Sequence, residues 1–114
     1  MTKYKVVLVP FPFDDLSSTK IRPAVCLTDP IGPYRHVVLA FITSRASQPM
    51  LATDLLLAVD DDGFDATGLR VASVVKLHRI ITMTTPMILR ELGDLSEIQQ
   101  DAVRRKVATL FELA

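Results

Sequence analysis

Residues 20–28 read Lys20-Ile21-Arg22-Pro23-Ala24-Val25-Cys26-Leu27-Thr28: two cations, a proline, then a run of small and β-branched apolar residues. Proline has no N–H, so it sits well at the first residue of a strand. It also pushes the residue before it toward extended backbone. Arg22 is therefore expected where a loop hands over to a buried strand at 24–27, its backbone held by the sheet and its guanidinium reaching out. Such a mount suits a group that grips phosphate with two prongs. The plainer alternative is an ion pair at the sheet rim. Cys26, inside the strand, reads as a small core residue with nothing nearby in sequence to lower its pKa.

Upstream, residues 14–19 are rich in turn formers (Asp14, Asp15, Ser17, Ser18 and Thr19) and form a loop ending at Lys20 and Arg22. That loop is a candidate cover for whatever Arg22 binds, or an ordinary surface loop. Before it, residues 4–9 form a strand buried on both sides. Pro10-Phe11-Pro12-Phe13 is expected to end regular pairing, because neither proline donates to a ladder. Phe11 and Phe13 then serve core or dimer packing, or one of them stacks on a nucleobase. Downstream, Pro30, Gly32 and Pro33 make a turn, and residues 37–43 form a third strand ending in Thr43-Ser44-Arg45. Polar groups at a strand end are held by the sheet and commonly carry function. Alternatively, Thr43 and Ser44 bond only the following turn.

The remaining chain adds a loop at 47–53 and further strands at 55–59, 71–77 and 79–83, with His78 between the last two. Asp60-Asp61-Asp62-Gly63 lacks the alternating ligands and distal glutamate of a calcium loop and reads as a solvated turn. Neither His36 nor His78 has a partner at metal-ligand spacing, so no metal site is expected. Residues 84–91 form a helical turn or an edge strand, broken by Gly93. Ser96 and Gln99 stand at capping-box spacing. A helix of about four or five turns follows, with Ile98, Ala102, Val103, Val107, Leu110 and Phe111 directed at the sheet and Arg104, Arg105 and Lys106 solvated. Many short strands and one terminal helix make a mainly β chain with some α, a compact antiparallel barrel or curled sheet.

At 114 residues, one domain spanning 1–114 is expected. A hydrophobic share of 49% excludes a disordered chain. The mean hydropathy of +0.31 with no apolar run near the ~20 residues of a membrane helix points to a large buried sheet, an apolar dimer face, or both. No signal-peptide pattern is visible, and the single cysteine excludes an internal disulfide, which fits a reducing cytoplasm. Zero formal net charge counts against a nucleic-acid binder. The charges are segregated, however. Lys20, Arg22, Arg35, His36 and Arg45 fall in one window, and Asp54, Asp60, Asp61, Asp62 and Asp65 in the next, and a neutral total can hide a positive face and a negative face.

The ordered set of motifs resembles one family. Val7-Leu8-Val9-Pro10-Phe11-Pro12-Phe13, Asp15-Leu16-Ser17 and Lys20-Ile21-Arg22-Pro23-Ala24-Val25 resemble the opening of the MazF/PemK (Kid) toxins of bacterial toxin–antitoxin systems. Phe41-Ile42-Thr43-Ser44, Gly68-Leu69 with Ser73-Val74-Val75-Lys76, Ile80-Ile81-Thr82 and Gly93-Asp94-Leu95-Ser96 resemble its later segments. The resemblance implies a homodimer with an SH3-like barrel, the curled sheet shared with the CcdB toxins. It also implies a cofactor-free, metal-independent and sequence-specific endoribonuclease acting on mRNA. Such enzymes cut single-stranded RNA by attack of the ribose 2′-oxygen, leaving a 2′,3′-cyclic phosphate and a 5′-hydroxyl. An acidic antitoxin is the implied protein partner.

By the same resemblance Arg22 and Thr43 are the catalytic positions. Lys20, Ser44, Arg45, Phe11 and the loop residues Ser17, Ser18 and Thr19 are the substrate-binding candidates. Tyr4-Lys5 stands where the family usually has a glycine–aspartate pair. Two other readings stay open: a CcdB-like inhibitor that binds a protein, although this chain has no tryptophan, and an inactive adaptor on the same fold.

Overall fold

The computed structural model describes residues 2–12, 19–44 and 50–113. Strands β1 (Lys5–Pro12), β2 (Thr19–Cys26), β3 (His36–Thr43), β4 (Asp54–Leu57), β5 (Ser73–Thr84) and β6 (Arg90–Asp94) precede the helix α1 (Glu97–Leu110). The strands form one curled sheet in the order β4-β5-β3-β2-β1-β6. The pairings between these strands are all antiparallel. Period-two alternation sorts the apolar residues onto two faces. Val6, Val25, Ala40, Ile42, Val75 and Leu77 pack with Val103 of the helix. Val7, Val9, Phe11, Ala24, Cys26, Leu39, Phe41 and Met83 pack on the opposite face. Both faces are therefore buried, which accounts for the high hydropathy. Burial pushes the Cys26 thiol up to about 11, so it behaves as a core residue.

β1 runs through the prolines expected to end it: Pro10 pairs with Ile21 and Pro12 with Thr19. Strand parity explains the tolerance. The Leu89 amide donates to the Leu8 carbonyl, so Leu8 and the residues two and four further on turn their backbone polar groups to the β6 side. β6 pairs with β1 only from Lys5 to Leu8. The missing N–H groups of Pro10 and Pro12 thus fall past the end of that ladder, where no bond is forfeited.

Gly93 likewise sits inside β6 instead of breaking it. A Cβ there would lie 2.0 Å from the Ala66 carbonyl oxygen, and one at Gly68 would lie 2.1 Å from that of Leu92. The two glycines let the 3₁₀ turn Asp65–Thr67 and β6 dock backbone against backbone.

The runs expected as two strands around His78 are one strand, β5. Its register against β3 slips between Ala40 and Phe41: Ile80 opposes Ala40, whereas Lys76 opposes Phe41. Leu77, His78 and Arg79 are the extra residues, and they form a bend, not a turn. The capping box at Ser96 and Gln99 is present in both directions. The helix face differs from the expected one. Gln99 and Val103 are buried and Val107 packs on the core, whereas Ile98 and Phe111 are mostly exposed. The sheet contacts a narrower stripe than the apolar residues would fill.

Two polar devices tie the fold together, one on each face of the sheet. The buried Asp54 carboxylate accepts from the Lys76 ammonium at 2.9 Å and from the Leu51 amide at 2.9 Å. Burial alone would raise its pKa, and these two donors more than offset it, holding the group below the usual carboxylate range. Tyr4 has φ of +71°, a strained conformation for an aromatic residue. Its amide donates to Cys26 and its carbonyl accepts from Leu95, while the ring is buried with the Arg104 guanidinium 5.8 Å from its centroid. Tyr4 thus holds the left-handed geometry that a glycine, usual there in the resembled family, adopts at no cost.

Candidate functional site

The β2–β3 ladder pairs Cys26 with Leu39, Val25 with Ala40 and Ala24 with Phe41, and ends there. The Leu27 amide donates across it to Val38. By alternation, the β2 amides facing β3 belong to Leu27, Val25 and then residue 23. Residue 23 is proline and has no proton to give. Had the register continued, Ile42 would lie opposite Pro23 and Thr43 opposite Arg22. The two strands part instead, and the opening is a cavity of about 590 Å³. Lys20, Arg22 and Pro23 line one side, Phe41, Ile42, Thr43 and Ser44 the other. Arg22 is therefore not at the head of its strand, as expected. It lies inside β2, paired with Val9, and its strand neighbours fix it on one side only.

Side-chain alternation then sets the composition of the opening. Ala24 and Cys26 belong to the face away from the helix, as do Leu39 and Phe41. Lys20, Arg22 and Thr43 continue those two series by steps of two and so share that face. Leu69, Arg70 and Val71 add a third wall, positioned by the docked glycine turn directly before them. Ser73 and Arg79 complete the described lining, the Arg79 guanidinium carbon lying 4.9 Å from the Phe41 ring centroid. The described lining thus contains Lys20, Arg22, Arg70 and Arg79 and no carboxylate. Four cations around one concavity concentrate positive potential that the zero net charge conceals.

Of the sequence-derived candidates, Arg22, Thr43, Lys20 and Ser44 meet in this cavity. Thr19 opens β2, paired through its backbone with Pro12. Ser17, Ser18 and Arg45, with Phe13 and most of the expected loop, lie outside the described residues. Phe11 is a correction to the base-stacking expectation. It is 6% exposed and packs its ring on Phe41 at 4.9 Å, tilted by 47°, so it supports the cavity floor from the core. Arg70 and Arg79 escaped the sequence reading. Arg70 lies in a loop without periodicity, and the break in alternation at 77–79 that re-aims Arg79 reads equally well as a turn.

The three aspartates 60–62 are all exposed, and the Asp61 carboxylate accepts from the Ala58 amide in its own turn. Among the described residues, no three His, Cys, Asp or Glu side chains converge as a metal would require, and no helix is long and apolar enough to cross a membrane.

Comparison with known proteins places these observations in context. Residues 2–111 match the sequence model of the PemK-like, MazF-like toxins of type II toxin–antitoxin systems. No curated protein matches the sequence. Among solved structures, the chain is similar to the Mycobacterium tuberculosis toxin MazF-mt6, with 24% identity and a TM-score of 0.72 over 96% of this chain and 98% of that one. It is also similar to an endoribonuclease from a mycobacterial species, solved in complex with its cognate antitoxin. That match has 14% identity and a TM-score of 0.71, and covers 100% of this chain and 97% of that one. A third match is MazE–MazF from Deinococcus radiodurans, with 18% identity and a TM-score of 0.68 over 100% of this chain and 97% of that one. At these identities the likeness is one of fold, and its curled antiparallel sheet with a C-terminal helix is the expected architecture.

Proposed function

The chain belongs to the PemK-like, MazF-like toxins of type II toxin–antitoxin systems, and from that membership we propose that it is an endoribonuclease cutting single-stranded RNA at the cationic opening between β2 and β3. The observation that supports the reading is that Arg22 and Thr43 line opposite walls of one cavity beside Pro23, whose described lining has four cations and no carboxylate. A polyanion is drawn to such a surface.

The reaction needs little from the protein beyond charge and position. The substrate's own 2′-oxygen is the nucleophile. It forms a new P–O2′ bond as the P–O5′ bond breaks. The 2′-hydroxyl proton leaves and a proton reaches the departing 5′-oxygen, so the products are a 2′,3′-cyclic phosphate and a 5′-hydroxyl. Negative charge grows on the non-bridging oxygens in between. Arg22 keeps its positive charge at any working pH, and its planar fork suits two of those oxygens. The Thr43 hydroxyl donates a hydrogen bond to the same phosphate. Lys20 and Ser44, at the exposed rim, hold the strand on either side. No metal and no cofactor enters the scheme.

The same basic cavity supports a protein partner, an acidic antitoxin segment that competes with RNA for it. Exposed Ile31, Tyr34, Met87 and Leu89 support a homodimer, since so many large apolar side chains on a small chain call for cover.

The test is incubation of the purified protein, in EDTA, with a long single-stranded RNA, followed by mapping of the fragment ends. Discrete cuts bearing cyclic phosphates are expected. Arg22→Ala should slow them about a thousandfold with an unchanged circular dichroism spectrum. Intact RNA with a folded wild-type protein would overturn the nuclease reading and favour an inhibitor that acts by binding.

A further inference from the structure

β5 changes face at its bend. Val75 and Leu77 belong to the core under the helix, and an unbroken alternation would send residue 79 there too. Ile81 and Met83 instead belong to the opposite face. The three extra residues of the register slip between Ala40 and Phe41 make the switch, and they deliver Arg79 to the cavity. A bulge that re-aims one side chain beside a functional opening is a recurrent device. Here the re-aimed side chain is a cation that a regular strand would have buried in an apolar core.

Arg79 is also held there. Its guanidinium lies against Phe41, which is 7% exposed and braced in turn by Phe11. A guanidinium beside a ring is steadied by it, and the planar fork of arginine matches the geometry of a phosphate.

We infer that Arg79 is a second phosphate-holding residue, gripping the RNA phosphate next to the one at Arg22. The inference rests on the proposed RNA-cleaving reading and adds a division of labour to it. Arg22 acts on the reacting phosphate, and Arg79 fixes the strand without touching the reacting atoms. Two fixed phosphates define the direction of the strand across the gap, which one phosphate cannot do.

The experiment uses a labelled 2′-O-methyl RNA spanning a mapped cut, which binds but cannot react, with affinity followed over a range of salt concentrations. Arg79→Gln should weaken binding about tenfold and flatten the slope of log K against log salt by about 0.7, the loss of one single-strand phosphate contact. Arg79→Lys should keep the slope. His78→Ala, exposed on the same bend and outside the lining, should change neither. With cleavable RNA at saturation, Arg79→Gln should cut within about twofold of wild type, whereas Arg22→Gln should not. Unchanged affinity and slope in a folded Arg79→Gln, with Arg22→Gln still impaired, would overturn the inference and leave the nuclease reading standing. A saturated cleavage rate as low as that of Arg22→Gln would overturn the division of labour. Failure of wild type to bind or cut RNA would remove both.

Discussion

The two faces of the sheet are built by opposite means. On the helix side, contacts are closed: the capping box is made in both directions, and Gly68 and Gly93 let backbones meet. On the other face, at the end bearing Lys20 and Arg22, bonds are withheld. Pro23 stops a ladder and the β5 slip interrupts another, and the space released fills with cations. The site is made by ending regular structure at chosen residues, on a framework whose other face is closely packed under the helix.

Three changes would break or sharpen that contrast. The largest effect is expected from Gly93→Ala. A methyl group there would sit 2.0 Å from a backbone oxygen, and separating β6 from the turn should cost about 3 kcal/mol or more. Denaturant unfolding measures it, and a loss under about 1 kcal/mol would show the docking to be slack. Next is Asp54→Asn, which leaves the Lys76 ammonium without its counter-charge at a site where little of either side chain is exposed. About 2 kcal/mol should be lost at pH 7. The Asp54 pKa is depressed in the fold. Its contribution is therefore complete above the unfolded value of about 3.9 and fades as pH falls through the lower folded value. The stability difference between wild type and variant should shrink in that acid window, as thermal unfolding at pH 2 to 7 would reveal. A constant difference would sink the assignment.

The smallest effect, and the most specific to the contrast, is expected from Pro23→Thr. Threonine restores the donor and favours a strand. The ladder should extend by one bond toward Ile42, seen as slowed hydrogen exchange at residue 23, and RNA cleavage should fall about tenfold, or 1.4 kcal/mol in barrier, as the gap narrows. Full activity together with a protected amide would show that the missing donor is not what opens the site.

Much of the fold was legible because alternation is a local property. The apolar runs at Val6, Val25, Leu39 and Val75 identify strands without knowledge of their partners, and Ser96 and Gln99 announce the helix through contacts three residues apart. What failed was non-local. The tolerance of Pro10 depends on where β6 stops, and that is decided eighty residues later. Ile98 lies at helical spacing, yet the stripe chosen by the sheet passes through Gln99 and Val103. The candidate site shows the same division. Arg22 and Thr43 were nameable from motifs, whereas their approach depends on a register that Pro23 terminates. Arg79 could be found only once β5 was known to turn over at Leu77.

The prolines of β1 have a further consequence. Past Leu8, the strand's backbone groups on the β6 side come from Pro10 and Pro12, which offer carbonyls but no N–H. A strand from another molecule arriving there would find acceptors and no donors, half of what a ladder requires. Unprotected strand edges are templates for cross-molecular β pairing and aggregation, and proline is one of the standard guards. A chain as apolar as this one, with both faces of its sheet buried, has particular need of such a guard. The residues that interrupt its hydrogen bonding open a cavity at one strand and protect solubility at the next.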